Sequence, residues 1–308
     1  MQQQKPDLIS RNCPICNSHD ASNIYAAANI DESKLDSFAF ASRKIPEYMH
    51  HRLIRCSACE LVYASPVPSS VHLGENYEEA DYDSSSESKY ASKTYSSFLP
   101  KIKRRLPDLH GALDIGTGDG SFLKELIDYE FTEVVGVEPS KAPIKAATAE
   151  IRPLIREKLF DPAEFNANSL SLVTCFQTIE HVSNPLELCT SVYDILKEKG
   201  AFFFICHNYE ALSTKILGRK SPIFDIEHLQ LFSPKSAKEI LLKSGFVDIE
   251  IRTVHNKYPF YYWVKLLPLL KPQTKRKLIP LLKKNILGRT PIYMPTGNIA
   301  VIGYKNKR

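Results

Sequence analysis

From residue 111 onward the chain alternates between short apolar runs and stretches of helical spacing. Apolar runs fall at 112–116, 133–138, 170–176 and 201–206, with a poorly marked one near 154–155. The run 201–206 is apolar throughout, which suits a strand covered on both faces of a parallel sheet. Between these runs, 121–130, 139–151 and 185–198 read as helices. In 185–198, Leu186, Cys189, Val192, Tyr193 and Leu196 recur at helical spacing, and Gly200 ends the pattern. A helix over 234–244 has Ser233 as N-cap and Gly245 as stop. Residues 246–254 alternate like a strand, and 298–304 form the last one. Alternating strands and helices predict an α/β domain around a parallel sheet.

The rest of the chain is patterned differently. Residues 1–66 offer little continuous core, and 77–98 are polar, with Tyr77, Tyr82, Tyr90 and Tyr95 among serines and acids. That stretch reads either as a linker or as a helical lid. The predicted layout is a module at 1–75, a linker or lid at 76–110 and a core at 111–308. An insertion at 255–296 is rich in aromatic, leucine and basic residues. It could form a second small core at the sheet edge, a substrate wall or dimer face, or a peripheral membrane contact through its basic residues.

The most specific chemistry lies where the first run ends. Asp114 is followed by Ile115-Gly116-Thr117-Gly118-Asp119-Gly120, and a helix then begins at Ser121. Glycines let the backbone turn sharply and approach a ligand closely. The next run ends in Glu138, where a carboxylate can accept hydrogen bonds from both hydroxyls of a ribose. Together these describe a nucleoside-binding βαβ unit. The dinucleotide fingerprint requires its third glycine one residue later than Gly120. Asp114 suits a ligand with an ammonium group and would repel a pyrophosphate. A nicotinamide dehydrogenase is therefore the weaker reading.

This pattern resembles the class I S-adenosylmethionine-dependent methyltransferases, whose first motif is an acid followed by Gly-x-Gly-x-Gly. Residues 171–182, ending Phe176-Gln177-Thr178-Ile179-Glu180-His181-Val182, resemble that family's fourth strand and its continuation. The resemblance implies a Rossmann-like α/β fold with a seven-stranded sheet, the last strand antiparallel. It implies S-adenosylmethionine as cofactor, held by Asp114, Gly116, Gly118, Gly120 and Glu138. Asp161 would reach the adenine amino group, and Phe176 and Gln177 would approach from the other side.

Seven cysteines are present. Cys175, Cys189 and Cys206 sit singly in apolar patterns, as core residues do. Cys13-Pro14-Ile15-Cys16 and Cys56-Ser57-Ala58-Cys59 form two Cys-x-x-Cys pairs. Two such knuckles can complete a tetrahedral structural zinc ion. The interval between them exceeds that of the usual zinc ribbon, and a redox role is the rival reading. Asn17 follows the first knuckle and tolerates the left-handed conformation; Glu60 follows the second and tolerates it less well. The leader, with 55–63 followed by Pro66 and Pro68, resembles that of bacterial methyltransferases similar to sugar and polysaccharide-pathway enzymes.

Net charge is +5, from 40 basic and 35 acidic residues, which gives no reason to expect nucleic acid as a partner. No signal peptide or membrane-spanning run is visible, so the chain is expected to be cytoplasmic. Ligands in open α/β sheets bind beyond the carboxyl ends of the strands. His181, His207 and His228 fall there, with Tyr209, Glu210, Asp225 and Glu227 nearby. His181 and His207 are the candidate general bases, because imidazole titrates near neutrality. The function read from the sequence is methyl transfer to a small polar acceptor, with nucleotide- and lipid-linked sugars as the sugar-linked options. The alternative is a regulatory or interaction protein that keeps the fold without turnover.

Overall fold

The computed structural model describes residues 8–31, 48–69, 82, 85–267 and 270–306. Tyr77 and part of the predicted linker lie outside the described residues. The core is a seven-stranded sheet: β1 (His110–Ile115), β2 (Thr132–Glu138), β3 (Ile155–Glu157), β4 (Leu170–Phe176), β5 (Leu196–His207), β6 (Val247–Thr253) and β7 (Asn298–Tyr304). The strand order is β6-β7-β5-β4-β1-β2-β3. The first five strands pair in parallel. β7 is antiparallel to both β5 and β6. The seven-stranded α/β fold and its antiparallel last strand thus match the expectation.

Burial on both faces explains why β5 reads as an unbroken apolar run. Phe202 and Phe204 point into one apolar cluster, while Phe203 and Ile205 point into the other. On the first face lie α4 (Pro185–Ile195) and α5 (Pro234–Lys243). On the second lie α1 (Ser85–Ser96) and α2 (Ser121–Asp128), with α3 (Lys141–Ala146) following β2. Ser233 caps α5 as predicted, in a reciprocal capping box with Ser236.

Two helix ends differ from the sequence reading. α4 stops at Ile195 because Leu196 already pairs with Leu170, and Lys199 takes a left-handed turn before regular pairing resumes at Ala201. α3 covers only part of 139–151, since Ala147 turns extended and a 3-10 turn follows at Arg152–Leu154.

The leader does not stand on a core of its own. Its strands Ile24–Ala26, Leu53–Arg55 and Val62–Ala64 form a small sheet, completed by Gln230–Leu231 from the loop before α5. Cys13, Ile15, Ile54, Leu61 and Tyr63 share one apolar cluster with Phe204 and Phe232. Arg11 reinforces the join. It donates to Ala64 O at 2.9 Å, Ser183 O at 2.8 Å and Leu229 O at 2.7 Å. The leader therefore has little core alone because it borrows the interior of the main sheet.

Candidate active site

A cavity of about 900 Å³ opens over the carboxyl ends of β1, β2, β4 and β5. Asp114, Gly116, Gly118, Glu138, Phe176, Gln177, His181 and His207 all line it. Gly118 has φ +59, and nothing lies within 4 Å of where its Cβ would be, so backbone is presented to open space there. Gly118 N donates to Glu138 Oε2 at 2.8 Å and Ser140 N donates to Glu138 Oε1 at 2.9 Å. The carboxylate thereby staples the glycine loop to the end of β2. Burial raises its pKa above the ordinary carboxylate range.

Asp114 is buried at the floor and accepts from Thr174 Oγ1 at 2.6 Å. Burial pushes its carboxyl up to about 7. Gln177 has φ +52, and its Nε2 is buried with no hydrogen-bond partner. A buried donor left open in a cavity wall calls for an acceptor on a ligand. Phe176 anchors an aromatic cluster, with ring centroids 4.5 Å from Phe122 and 4.9 Å from both Tyr95 and Phe203.

Two of the sequence candidates lie off the cavity wall. Gly120 is needed for packing: at φ +69, a Cβ there would come within 2.4 Å of Ile151. Asp161 is exposed and caps the turn Pro162–Glu164, accepting from Ala163 N at 3.0 Å. Leu159, Phe160 and Pro162 line the cavity in its place. The irregular chain after β3 hid this from sequence reading, because period and spacing do not fix which side chain of a turn points inward.

Opposite the glycine loop three histidines meet. The His228 ring lies 5.0 Å from that of His181 and 5.0 Å from that of His207, centroid to centroid. Each Nδ1 faces an acceptor. For His181 it is Glu227 O at 3.0 Å, for His228 Ile223 O at 2.8 Å, and for His207 Glu180 Oε1 at 2.9 Å. A carbonyl only accepts, so Nδ1 carries the hydrogen in His181 and His228, and Nε2 is the basic nitrogen of each neutral ring. Burial lowers the pKa of His181, which favours the neutral form. Glu180 is fully buried and organises the cluster. Its carboxylate takes His207 N at 2.6 Å, and its carbonyl takes Leu229 N at 2.9 Å.

Glu227 and His228 matter more here than their sequence position suggested. Ligand atoms of His181, Glu227 and His228 lie within 4.8 Å of one another. Asp225 also lines the cavity, whereas Tyr209 and Glu210 are absent from the lining. Tyr209 instead donates to Glu60 O at 2.7 Å, tying the post-β5 loop to the leader.

The insertion supplies the far wall. Asn256–Pro259 pairs with Pro291–Met294, and Tyr261, Tyr262 and Trp263 of α6 (Phe260–Leu266) share an apolar cluster with Phe203 and Ala300 of the sheet. Tyr258, Tyr262, Trp263, Leu266, Ile292 and Met294 line the cavity there.

Away from the cavity, the four leader cysteines converge. Cys13 Sγ lies 3.4 Å from Cys59 Sγ, and Cys16 Sγ lies 3.4 Å from Cys56 Sγ. All four sulfurs fall within 4.8 Å of one another. The two knuckles match: Asn17 N donates to Cys13 O at 2.9 Å and Glu60 N to Cys56 O at 3.0 Å. Asn17 and Glu60 both adopt the left-handed conformation, at φ 57° and 66°.

Residues 87–251 match the methyltransferase domain family, more than half of the chain. The chain belongs to this family. The ubiquinone biosynthesis O-methyltransferase of Vibrio parahaemolyticus is 26% identical over 156 residues, 46% of this chain and 66% of that protein. The protein of the same name in Photobacterium profundum is 25% identical over 166 residues, 49% of this chain and 70% of that one. This chain thus covers just under two thirds of the V. parahaemolyticus protein. Among solved structures, the YcgJ protein of Bacillus subtilis superposes with a TM-score of 0.51 at 17% identity, covering 70% of this chain and all of that one. That likeness shows the fold. The methyltransferase match takes in the glycine loop, Glu138 and the three histidines. The cysteine leader and the insertion at 255–296 lie outside it. No helix among the described residues is long and apolar enough to cross a membrane.

Proposed function

We propose that this methyltransferase domain binds S-adenosylmethionine at the Asp114–Gly118–Glu138 wall and transfers its methyl group to a polar acceptor held at the histidines. One observation carries the reading: the glycine loop and the histidine cluster open into the same cavity. The cofactor, when bound, supplies an electrophilic methyl on a sulfonium, and the electrons of the broken carbon–sulfur bond stay on sulfur. Glu138 holds the ribose. Asp114 faces the ammonium group. Leu159 and Phe160 offer apolar faces to the adenine, and Gln177 Nε2 donates to the ligand. His181 Nε2, with His228 beside it, accepts the proton that the acceptor loses as its new bond to carbon forms.

The acceptor side is polar near the histidines, where Ser213, Asn256, Thr296 and Asn298 line the cavity. These groups suit hydroxyls, and the leader resembles that of sugar methyltransferases. We take the head group of the acceptor to be carbohydrate-like. Zinc at Cys13, Cys16, Cys56 and Cys59 fits the donor set. Tetrahedral zinc–sulfur bonds of about 2.3 Å place sulfurs about 3.8 Å apart, whereas a disulfide needs about 2.05 Å. With four cysteine ligands such an ion holds shape and leaves no open position for catalysis. The chain acts in the cytoplasm on this reading.

The deciding experiment supplies methyl-labelled S-adenosylmethionine and a panel of nucleotide- and lipid-linked sugars, with products read by mass. Methylation of only protein, lipid without sugar, or nucleic acid would remove the carbohydrate reading. Cofactor binding without turnover on any acceptor would favour the regulatory alternative.

Two predictions concern the cofactor wall. Glu138→Ala should weaken S-adenosylhomocysteine binding by about 1–3 kcal/mol, through lost hydrogen bonds to a charged group. Calorimetry reads this directly, and NAD binding more tightly than the sulfonium cofactor would contradict the assignment. Asp114 supplies a pH dependence. Its carboxyl titrates near about 7 in the unliganded protein, and an ammonium group favours the ionised form. Binding below that pH must therefore release a proton. Affinity should be flat above pH 7 and fall up to about tenfold per pH unit below it. Asp114→Asn should abolish both the proton release and the slope. An unchanged slope in that variant would rule out Asp114 as its source.

A further inference from the structure

We propose that the acceptor is an amphiphile, with a hydrocarbon tail lying in the arm of the cavity walled by the 255–296 insertion. The proposal rests on the methyltransferase reading for the position of the polar head and adds the chemical class of what is attached to it. The cavity has to hold the cofactor and the acceptor together, and the insertion lines one arm of it. At about 900 Å³ it lies at the upper end of the size of single-ligand sites. Its polar groups are concentrated at the glycine loop and the histidines, with Asn256 and Thr296 from the insertion, while the other insertion residues that line it are aromatic, aliphatic or Met.

Beyond Asn256 and Thr296 that wall presents mainly rings and aliphatic groups. Tyr258 and Tyr262 lie with ring centroids 4.4 Å apart, and Trp263 sits 5.4 Å from Tyr258. The indole N–H is already used, donating to Ile292 O at 3.1 Å, so the ring offers no donor to a ligand. Ile292 and Met294 are 38% and 41% exposed although they line the cavity, so this end reaches the surface and a tail can run outward. At the junction with the polar end, Asn256 spends its Nδ2 on Thr296 Oγ1 at 2.9 Å, while its Oδ1 is buried with no hydrogen-bond partner. A hydroxyl at the head–tail junction would satisfy it. A wall with this order, from basic nitrogens through one orphan acceptor to rings and aliphatic groups, matches a molecule that is polar at one end and hydrocarbon at the other.

Trp263 is the sole tryptophan, so its fluorescence reports on this arm without labelling. The test uses the full chain loaded with S-adenosylhomocysteine. It is titrated with methyl, hexyl and octyl β-glucosides, and in parallel with phenol and 4-alkylphenols, all below their critical micelle concentrations. Tryptophan emission should change on binding, and affinity should rise up to about fourfold per added methylene in both series. Ile292→Glu and Met294→Glu change surface-reaching positions and should flatten the dependence on chain length, leaving S-adenosylhomocysteine binding intact. Affinity that does not vary with chain length would overturn the proposal. So would binding only above the micelle threshold, or length dependence that persists in both variants. S-adenosylhomocysteine binding is read separately by thermal shift. Its loss would count against the methyltransferase reading, whereas a flat tail series with the cofactor bound would count against the amphiphile alone.

Discussion

His181→Ala and His228→Ala should each lower turnover by about 100-fold or more, while cofactor affinity stays nearly unchanged. The two rings lie 5.0 Å apart, and each Nδ1 is committed to a backbone carbonyl. That fixes the tautomer in which Nε2 is basic, the form a proton acceptor needs. Burial lowers the pKa of His181. The base is therefore present at neutral pH, and protonation removes it only on the acid side of the ordinary imidazole range. Activity should hold as pH falls to about 6.5, the usual imidazole value, and decline below it. With S-adenosylmethionine saturating at every pH, so that the Asp114 dependence is masked, a general structural role for these rings would not produce that acid limb. Wild-type-like kcat in both alanine variants would place the base elsewhere. His207 differs in kind, because its ring is held by the buried Glu180 carboxylate, and its replacement should cost stability as well as rate.

Removing zinc should cost more than the leader. Structural zinc contributes on the order of 10 kcal/mol to small modules. Cys56→Ser should therefore release the ion and disorder the knuckles. The strand Val62–Ala64 pairs with Gln230–Leu231, and Arg11 bonds Leu229 O at 2.7 Å. Those residues immediately follow Glu227 and His228. Loss of the ion should thus lower turnover too, although none of the four cysteines lines the cavity. Elemental analysis should find one zinc per chain in protein never exposed to chelator, and none in the variant. A zinc-free variant with full turnover would show that leader and site are uncoupled. Absence of zinc from the unaltered protein would remove the metal assignment itself.

What could be read from the sequence was what depends on neighbours along the chain. Ser233 as a cap, the left-handed Asn17, the buried run in β5 and the acid–glycine loop each follow from local backbone geometry or a fixed period. The parallel α/β sheet was legible through the same alternation, and its seven strands with an antiparallel last one through the family resemblance; the strand order was not read. The helix ends at Ala146 and Ile195 were not: at Ile195 the pairing of Leu196 with Leu170 decides where the helix yields to a strand, and at Ala146 the chain turns extended at Ala147. Nor was the role of Gly120, whose missing Cβ makes room for Ile151, 31 residues away in the chain. His181, His207 and His228 were visible only as three histidines near strand ends. Their meeting at 5.0 Å is a consequence of sheet order, with Glu180 drawing two distant loops onto one carboxylate and its carbonyl. Asp161 turns outward and Leu159 lines the cavity instead, because a turn's inward direction is set by what packs against it. The leader appeared coreless because a one-dimensional pattern cannot show that its apolar face is completed by Phe204 and Phe232. Local propensity depends on a few adjacent residues, but a site is assembled by contacts between segments far apart in the chain, and those are settled only when the sheet closes and its apolar faces are covered.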